Sequence, residues 1–336
     1  MPVAGGDGLE KLEDMIVRTA ESTAAHVTTA KAAIGKVIFG QDKVIEQALV
    51  TILSGGHALL LGLPGLAKTK LVDTLGTVLG LDPRRIQFTP DLMPSDILGT
   101  EVLEEGQTGK RSFRFLPGPV FAQLLMADEI NRASPRTQSA LLQAMQEQHV
   151  TIAGTRYDLP KPFHVLATQN PLEQEGTYPL PEAQLDRFLM EIDVGYPDRD
   201  AERKILFETT GSEETRAKPA MTAEELMAAQ RLVRRLPVGE SVVDAILALV
   251  RSARPGPEGG EAAKLIAWGP SPRASQALML AVRARALLDG RLAPSIDDVL
   301  GLAEPVLKHR MALTFTARAE GESIEAVVGR LKSRIG

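Results

Sequence analysis

Apolar residues recur at helical intervals over the first part of the chain, interleaved with Glu, Lys and Thr. The loosely spaced apolar positions are Leu9, Leu12, Ile16, Val27 and Ile34. This spacing predicts a helical N-terminal extension over residues 1–38. A denser helical pattern follows Phe39-Gly40-Gln41 and stops at Gly55-Gly56, because glycine readily takes the left-handed backbone that ends helices.

The pattern then changes to short, uninterrupted apolar runs. Four of them fall at residues 58–61, 124–127, 163–167 and 189–194. Runs of this length are typical of strands that are buried on both faces of a parallel sheet. Helical patterns such as residues 135–146 separate them. Strands that alternate with helices predict an α/β fold, a three-layer αβα core that binds ligands at the carboxyl ends of its strands.

Two polar, glycine-bearing segments interrupt this alternation. Residues 96–115 have the centre Glu104-Glu105-Gly106-Gln107-Thr108-Gly109 between strand-like pieces, and residues 149–159 have Ala153-Gly154 between two such pieces. Turn-forming centres flanked by strand-like sequence are typical of hairpins. We therefore expect two β-hairpins inserted into the core.

The C-terminal part of the chain is helical in pattern. Residues 211–219 are polar and irregular and predict a linker. The helices expected after it span residues 222–236, 241–254, 272–288, 295–309 and 319–335. Ser241 and Ser295 stand where N-caps are expected, and Pro255 and Gly290 where helices stop. The prediction is a core over residues 39–212, followed by a small all-helical lid domain over residues 213–336.

Composition and charge exclude several classes of protein. The net charge is −5, from 38 Lys and Arg against 43 Asp and Glu, and aromatics make up 4% of the residues. Proteins that bind nucleic acids usually have an excess of basic residues, and those that bind single strands use aromatic side chains on which bases stack. The acidic net charge and the few aromatic residues therefore oppose this function. The absence of Cys excludes disulfides and thiolate metal sites. We expect a cytoplasmic protein, since no stretch is apolar enough for a membrane span and no signal-peptide pattern begins the sequence.

A glycine-rich motif follows the first apolar run and opens a helix. It reads Gly62-Leu63-Pro64-Gly65-Leu66-Ala67-Lys68-Thr69, and Lys70 comes next. This is the phosphate-binding loop G-x-x-x-x-G-K-[ST], except that Ala67 stands where the second Gly belongs. With ordinary helical dihedrals at Ala67, backbone amides surround a β-phosphate, Lys68 neutralises β/γ charge and Thr69 coordinates Mg²⁺. We expect residues 62–70 to bind the nucleotide.

Polar residues stand directly after two further apolar runs. Asp128 and Glu129 follow the run at 124–127, and Asn170 follows the run at 163–167. At strand tips beside a phosphate-binding loop, one acid holds Mg²⁺ and its neighbour orients the attacking water. We assign the metal to Asp128, the water to Glu129, and a hydrogen bond to the water or the γ-phosphate to Asn170.

Two arginines are candidate cations for the transition state. Arg187 lies in Leu185-Asp186-Arg187-Phe188, and Arg273 opens a C-terminal helix after Gly269-Pro270-Ser271-Pro272. Arg187 is either a finger that reaches the nucleotide of a neighbouring subunit, or a surface residue that pairs with Asp186 or Glu182. Arg273 reaches the phosphates only if the lid folds over the site.

Taken together, these motifs resemble the MoxR family of AAA+ ATPases, in the clade with a helix-2 insertion and a hairpin before sensor 1. The resemblance covers residues 39–309 and includes the phosphate-binding loop with its Ala. The other matching strings are Ala127-Asp128-Glu129-Ile130-Asn131-Arg132-Ala133, residues 138–147 (QSALLQAMQE), residues 167–171 (ATQNP) and residues 176–188 (GTYPLPEAQLDRF). The resemblance implies an AAA+ P-loop core with a helical lid.

The resemblance also implies a role for each motif residue. The implied assignments are Walker A for Lys68 and Thr69, Walker B for Asp128 and Glu129, sensor 1 for Asn170, arginine finger for Arg187 and sensor 2 for Arg273. ATP and Mg²⁺ are the implied cofactors, and a ring, commonly a hexamer, is the implied assembly. The implied activity is ATP hydrolysis that remodels, assembles or matures a client complex with a von Willebrand factor A domain partner. Arg132 is a second candidate for a contact between subunits.

Two related functions stay open at this point. A nucleic-acid motor or transcription activator on the same core is opposed by the acidic balance and by the lack of an aromatic Gly-Ala-Phe-Thr-Gly-Ala loop near residues 104–109. A motor of the magnesium-chelatase type is not separated from the MoxR family by local sequence. The five His residues show no metal-ligand spacing, so no transition metal is expected.

Overall fold

The computed structural model describes residues 6–105, 111–172, 176–210, 216–256 and 260–335, with side chains from residue 20 onward. Its strands are β1 (Ala58–Gly62), β2 (Pro83–Gln87), β3 (Gly99–Glu105), β4 (Arg111–Pro117), β5 (Leu124–Asp128), β6 (His149–Ile152), β7 (Thr155–Asp158), β8 (His164–Gln169), β9 (Met190–Val194), β10 (Ile266–Trp268) and β11 (Ala312–Leu313). Its helices are α1 (Gly6–Gly35), α2 (Asp42–Leu53), α3 (Lys68–Val78), α4 (Pro94–Leu98), α5 (Pro135–Glu147), α6 (Glu182–Leu185), α7 (Arg199–Thr209), α8 (Ala223–Val233), α9 (Glu240–Ser252), α10 (Gly260–Lys264), α11 (Pro272–Leu288), α12 (Ile296–Leu307), α13 (Phe315–Ala319) and α14 (Ile324–Lys332). Short 3-10 helices lie at Ile130–Arg132 and Lys308–Arg310.

Five strands form one parallel sheet in the order β2-β5-β8-β1-β9. Leu60 of β1 lies opposite Thr168 of β8 and Ile192 of β9. Because all the strands run the same way, their carboxyl ends share one edge of the sheet. The four predicted strands are confirmed. The sequence pattern misses β2, an edge strand that is mostly exposed and has Ile86 as its one aliphatic residue.

Successive residues of each strand point to opposite faces of the sheet and fill two apolar cores. On one face, Leu60 and Met126 pack with α1 to α3 and with the C-terminal helices. On the other face, Leu59 and Leu125 pack with α5 and with the hairpins. The α/β fold class and the three-layer αβα core are therefore confirmed.

Two antiparallel hairpins leave this core. β3 pairs with β4 along its whole length, and β6 pairs with β7 around Ala153 and Gly154, whose positive φ values of 47° and 83° suit a two-residue turn. Phe115 of the first hairpin stacks on Tyr157 of the second, with ring centroids 4.0 Å apart. Both predicted hairpins are confirmed, although α4 occupies the start of the first predicted segment. Residues 106–110, at the centre of that segment, lie outside the described residues.

The N-terminal helix α1 packs along both parts of the molecule. Val27, Ala30 and Ile34 are buried in the core cluster that also contains residues of α2, α3, α8 and α11. Nζ of Lys31 lies 3.2 Å from Glu46 of α2 and 3.9 Å from Asp289 after α11. The predicted helical extension is therefore a helix that joins the sheet domain to the C-terminal helices.

The C-terminal helices form the lid, and α11 matches its predicted bounds. The predicted N-cap at Ser241 is wrong, because α9 begins at Glu240 with Gly239 as its N-cap. A ribbon of β10 and β11 is an exception to the all-helical prediction. Residues 216–219 of the predicted linker have no regular structure, and residues 211–215 lie outside the described residues. The domain boundaries after residues 38 and 212 stay predictions.

No helix among the described residues is both long enough and apolar enough to cross a membrane.

Candidate functional site

The glycine-rich loop joins β1 to α3 at the carboxyl edge of the sheet. A Cβ atom on Gly62 would lie 2.6 Å from the carbonyl oxygen of Val194, so glycine permits the close approach of β1 and β9 here. α3 begins at Lys68, and its first amides have no partner within the helix. The loop therefore presents a helix N-terminus, which favours a bound anion such as phosphate.

Ala67 does not have the helical dihedrals that the sequence analysis expects. It is the N-cap of α3, with φ 58° and ψ 21°, in the left-handed region. This backbone costs a residue with a Cβ about 1–2 kcal/mol, which explains why the general motif has Gly at this position. The side chain of Ala67 is exposed, so the cost comes from the backbone and not from a clash with neighbours.

The ammonium group of Lys68 lies inside the loop. Its Nζ donates hydrogen bonds to the carbonyl oxygens of Gly62 and Leu63, at 2.5 and 2.9 Å. Partial burial lowers its pKa, and the negative charges of Asp128 and Glu129 oppose this effect. Because these carboxylates act on Lys68, the loop and the end of β5 belong to one electrostatic site.

Four side chains hold the two acids at the end of β5. The Oδ1 atom of Asp128 accepts a hydrogen bond from the hydroxyl of Thr168, and its Oδ2 accepts one of 2.5 Å from Arg85. The Oε2 atom of Glu129 accepts hydrogen bonds from Gln87, at 2.8 Å, and from Arg132, at 3.1 Å. The acids are therefore fixed by side chains of β2, of β8 and of the 3-10 helix that follows β5.

The backbone of Glu129 is strained. Its φ of 55° and ψ of 51° lie in the left-handed region, and its amide donates a 2.8 Å hydrogen bond to Oγ1 of Thr168. Residues other than glycine with such a backbone are concentrated at functional sites, where contacts with the surrounding residues hold them in this conformation. Thr168 thus holds the side chain of Asp128 and the backbone of Glu129 at once.

Asn170 follows β8, which lies between β5 and β1 in the sheet. Leu61 pairs with Gln169, so Asn170 stands at the same edge as the end of β1. It is 6% exposed, and its Oδ1 accepts a 3.2 Å hydrogen bond from the amide of Leu172. The sheet therefore brings Lys68, the two acids and Asn170 together, as the sequence predicts.

The two candidate arginines lie near the contact between sheet domain and lid. Arg187 forms no ion pair with Asp186 or Glu182 among the described residues, and the partner of Asp186 is Arg310 instead. Arg273, at the start of α11, lies 3.9 Å from the carboxylate of Asp186 and is exposed. The structure therefore brings Arg273 to the segment of Arg187, and it shows no bond from either arginine to the loop residues it describes.

An apolar cavity of about 130 Å³ adjoins the glycine-rich loop. Its lining includes Ile38, Phe39, Leu66, Pro197 and Ile205. The segment after α1 closes this cavity, because Gly40 has a φ of 68° and packs against residues 197 and 201, where a Cβ would lie 2.4 Å from Ala201. The sequence analysis does not predict this cavity. The break between two helical patterns at Phe39-Gly40-Gln41 is the feature of the sequence that could have indicated it.

Other parts of the site also lack a sequence signal. Arg85, Gln87 and Thr168 bind the acids. Arg85 and Gln87 belong to no motif, and Thr168 lies in the string at residues 167–171 but has no predicted role of its own. Two of them lie on β2, the strand that the apolar pattern does not reveal. Among the described residues, no group of three or more His, Asp or Glu side chains is placed to hold a metal ion.

The parallel sheet, the loop before α3 and the acids at the end of β5 define a P-loop ATPase of the AAA+ class. A family model described as "ATPase family associated with various cellular activities (AAA)" matches residues 57–190. A second model, described as "AAA lid domain", matches residues 261–331. These matches fall on the sheet domain and on the C-terminal helices.

Known proteins are similar over nearly the whole chain. "Chaperone MoxR1" of Mycobacterium tuberculosis is 44% identical over 317 residues, covering 93% of this chain and 83% of the relative. "Uncharacterized protein YeaC" of Bacillus subtilis is 41% identical, covering 90% and 92%. "Protein MoxR" of Paracoccus denitrificans is 34% identical, covering 86% and 89%. A crystal structure of a candidate ATPase from Cytophaga hutchinsonii has a TM-score of 0.88 at 37% identity, covering 98% of this chain and 99% of that one. The chain belongs to the MoxR family of AAA+ ATPases.

Proposed function

We propose that this chain hydrolyses ATP in a ring of identical subunits in the cytoplasm and uses the energy to remodel, assemble or mature a client protein complex. The observation that carries the proposal is the convergence of Lys68, Asp128, Glu129 and Asn170 at one edge of the sheet. The name of the relative "Chaperone MoxR1" supports the chaperone-like part. A von Willebrand factor A domain protein is the partner that the family resemblance implies.

The phosphates of ATP fit residues 62–70. The first amides of α3 point at the place where a β-phosphate binds such loops, and Lys68 supplies a positive charge beside them. Lys70 lines the neighbouring apolar cavity together with Ile38 and Phe39. A cavity of this character beside a phosphate site suits the base of the nucleotide.

The donor set of the site fits Mg²⁺. Thr69 offers a hydroxyl and Asp128 a carboxylate, and Mg²⁺ is held by one or two such oxygen ligands together with substrate phosphates. This mode needs no cluster of several acids, and the described residues hold none. Mg²⁺, when bound, would supply charge neutralisation at the β- and γ-phosphate oxygens.

Glu129 accepts a hydrogen bond from the attacking water and thereby orients this water toward the γ-phosphate. Its hydrogen bonds from Gln87 and Arg132 leave Oε1 for this task. Asn170, just past β8, bonds the same water or the γ-phosphate in this proposal; its position at the edge shared with the end of β1 supports it. Positioned groups of this kind supply most of the catalysis in phosphoryl transfer.

Two arginines complete the proposed site. Arg187 acts as a finger on the nucleotide of the neighbouring subunit, and Arg273 acts from the lid as the sensor 2 cation. Arg187 supports this assignment because neither Asp186 nor Glu182 pairs with it among the described residues. A finger that acts between subunits requires a ring, and a hexamer is the form that the family resemblance implies.

The decisive experiment compares Glu129→Gln with Glu182→Gln, an exposed glutamate outside the proposed site. We expect Glu129→Gln to bind a fluorescent ATP analogue normally and to lose turnover by about 10³-fold or more, on the scale of a lost water-orienting group. Glu182→Gln should retain both. Normal turnover of Glu129→Gln would overturn the assignment, and stimulation of turnover by DNA would favour a nucleic-acid motor instead.

Arg187→Ala tests the ring. The variant should bind the ATP analogue normally and lose turnover at every protein concentration, whereas the unaltered chain should gain turnover as subunits associate. Full turnover of a monomeric preparation would contradict a finger that acts between subunits. Co-purification with a von Willebrand factor A domain protein, with and without ATP, tests the proposed partner.

A further inference from the structure

Asp186 of the sheet domain contacts three side chains of the lid. Its Oδ1 accepts a 2.7 Å hydrogen bond from Nε of Arg310, and its Oδ2 accepts one of 3.2 Å from the hydroxyl of Ser271. A guanidinium nitrogen of Arg273 lies 3.9 Å from the same Oδ2. Asp186 is the residue that precedes Arg187. Its carboxylate therefore contacts both the start of α11 and the 3-10 helix at Lys308–Arg310.

The remaining donors of Arg310 hold the backbone on both sides of Arg187. They bond to the carbonyl oxygens of Asp186, at 3.3 Å, of Phe188, at 2.5 Å, and of Leu189, at 3.0 Å. The Arg310 side chain is 3% exposed, and burial lowers its pKa while the charge of Asp186 opposes this effect. A buried guanidinium with this many partners cannot move without them. The backbone that carries Arg187 is therefore fixed to the lid.

The contact with Arg273 has a different character. The Arg273 side chain is 58% exposed and its ion pair with Asp186 is long, so solvent screens the pair and little is lost when it opens. Among the two arginines, Asp186 thus has one buried partner, Arg310, and one exposed partner, Arg273. Arg187, between them in the chain, makes no side-chain ion pair with the residues that the structure describes.

We propose that Asp186 is a positioning residue that makes the placement of Arg187 follow the lid of its own subunit. A movement of the lid carries Arg310 and Ser271 with it, and through Asp186 it moves the backbone of Arg187. Because Arg273 belongs to the same lid and shares the same carboxylate, the lid of one subunit controls the placement of both arginines. The inference rests on the proposed function, in which Arg187 acts between subunits.

The test mixes subunits that have complementary defects. Each site in the proposed ring combines Glu129 of one subunit with Arg187 of the next. Asp186→Asn alone should keep its affinity for a fluorescent ATP analogue and lose turnover by about tenfold or more, the effect of about 1.4 kcal/mol in the barrier. Mixed with Glu129→Gln, whose finger is intact, it should regain turnover. Mixed with Arg187→Ala, it should stay inactive, because neither subunit then presents a working finger.

The opposite pattern overturns the proposal. Rescue by Arg187→Ala, without rescue by Glu129→Gln, would place the defect of Asp186→Asn in the ATP site of its own subunit. Normal turnover of Asp186→Asn alone would also contradict the proposal. If Glu129→Gln and Arg187→Ala do not complement each other, the ring mechanism itself fails and the role of Asp186 falls with it, so the two failures are distinguishable.

Two further variants separate positioning from folding. Arg310→Lys keeps the charge but loses the planar fork that holds three carbonyl oxygens, so it should show the same complementation pattern. Asp193→Asn is the matched control, because it breaks the 2.5 Å ion pair of Lys308, another contact between the sheet and the same 3-10 helix. Asp193→Asn should retain turnover. Thermal unfolding of all the variants, followed by circular dichroism, checks that each one folds. An equal loss in Asp193→Asn would assign the effect to lid docking in general and contradict a specific role of Asp186.

Discussion

The side chains of Gln87 and Glu129 are joined by a hydrogen bond of 2.8 Å, from Nε2 of Gln87 to Oε2 of Glu129. Arg85, on the same strand, donates to Oε1 of Gln87 at 3.2 Å and to Oδ2 of Asp128 at 2.5 Å. β2 therefore holds both acids at the end of its neighbour β5 through one connected set of bonds. This edge strand carries no recognised motif, yet its side chains fix the positions of the two acids.

Replacing Gln87 with Ala should lower ATP turnover by about tenfold without changing the affinity for ATP. A hydrogen bond to a charged carboxylate is worth about 1.5–3 kcal/mol, and a tenfold change in rate needs about 1.4 kcal/mol. Arg132 still binds Oε2 of Glu129, so the loss should be partial. Steady-state turnover and titration with a fluorescent ATP analogue measure the two quantities.

Arg84→Ala is the control for this change. Arg84 lies on β2 as well, but its Nε faces Asp82 at 3.6 Å and makes no contact with either acid of the site. Its turnover should match that of the unaltered chain. If Gln87→Ala keeps full turnover, or if Arg84→Ala loses as much, the hydrogen bond to Glu129 has no part in catalysis.

Thr168→Val should destabilise the fold and reduce turnover together. Valine has nearly the shape of threonine, but it cannot donate to Oδ1 of Asp128 or accept from the amide of Glu129. Thr168 is 1% exposed, so both groups lose a partner inside the protein, at a cost of about 1–3 kcal/mol. Denaturant unfolding gives the stability, and Thr168→Ser, which keeps the hydroxyl, should restore most of it. Equal stability of Thr168→Val and the unaltered chain would show that these bonds contribute nothing.

Much of the site was predictable because its residues follow strands. Asp128 and Asn170 stand just beyond apolar runs, and Lys68 opens the helix that follows a third run. Parallel strands bring their carboxyl ends to one edge. Local pattern therefore suffices to predict both the strands and their convergence. It does not suffice for β2, since an exposed edge strand such as Pro83–Gln87 needs few apolar residues.

Contacts between distant parts of the chain were not predictable from local pattern. The 2.7 Å bond between Asp186 and Arg310 depends on how the lid packs, and nothing in the sequence around Asp186 points to Arg310 as its partner. The helical pattern of residues 1–38 likewise predicts a helix, but it cannot tell that Val27 and Ile34 are buried between two domains. The backbone of Ala67 depends on the turn before α3, and the identity of the residue alone suggested the wrong dihedrals.

Ala67→Gly should stabilise the protein by about 1 kcal/mol. Ala67 has a left-handed backbone, which costs a residue with a Cβ about 1–2 kcal/mol, whereas glycine adopts it freely. The greater freedom of glycine in the unfolded chain offsets part of this gain. The midpoint of unfolding in urea measures the effect. Ala58→Gly, in β1, is the control and should destabilise, and a loss of stability in Ala67→Gly would contradict the assigned backbone.

Two buried histidines, His57 and His164, are held in the neutral form. Nδ1 of His57 accepts a 2.9 Å hydrogen bond from the amide of Val165, and Nε2 of His164 lies 3.0 Å from the amide nitrogen of Gln230. Burial lowers the pKa of His57 to about 3, with a smaller contribution from the charge of His164, and burial lowers the pKa of His164 to about 4. Each ring therefore uses one nitrogen as an acceptor, which protonation would remove.

The stability of the protein should fall as the pH drops below about 6.5, the ordinary pKa of histidine. Between about pH 6.5 and pH 4, the unfolded chain binds protons at these positions and the folded chain does not, so acid favours unfolding. Each histidine contributes up to about 1.4 kcal/mol per pH unit.

His164→Asn keeps a donor for the carbonyl oxygen of Gly56 but does not titrate, so it should reduce this slope by about one histidine's share. Urea unfolding of the variant and of the unaltered chain at several pH values between 5 and 7 measures the slope. An unaltered slope in His164→Asn would show that this histidine is protonated in the folded protein.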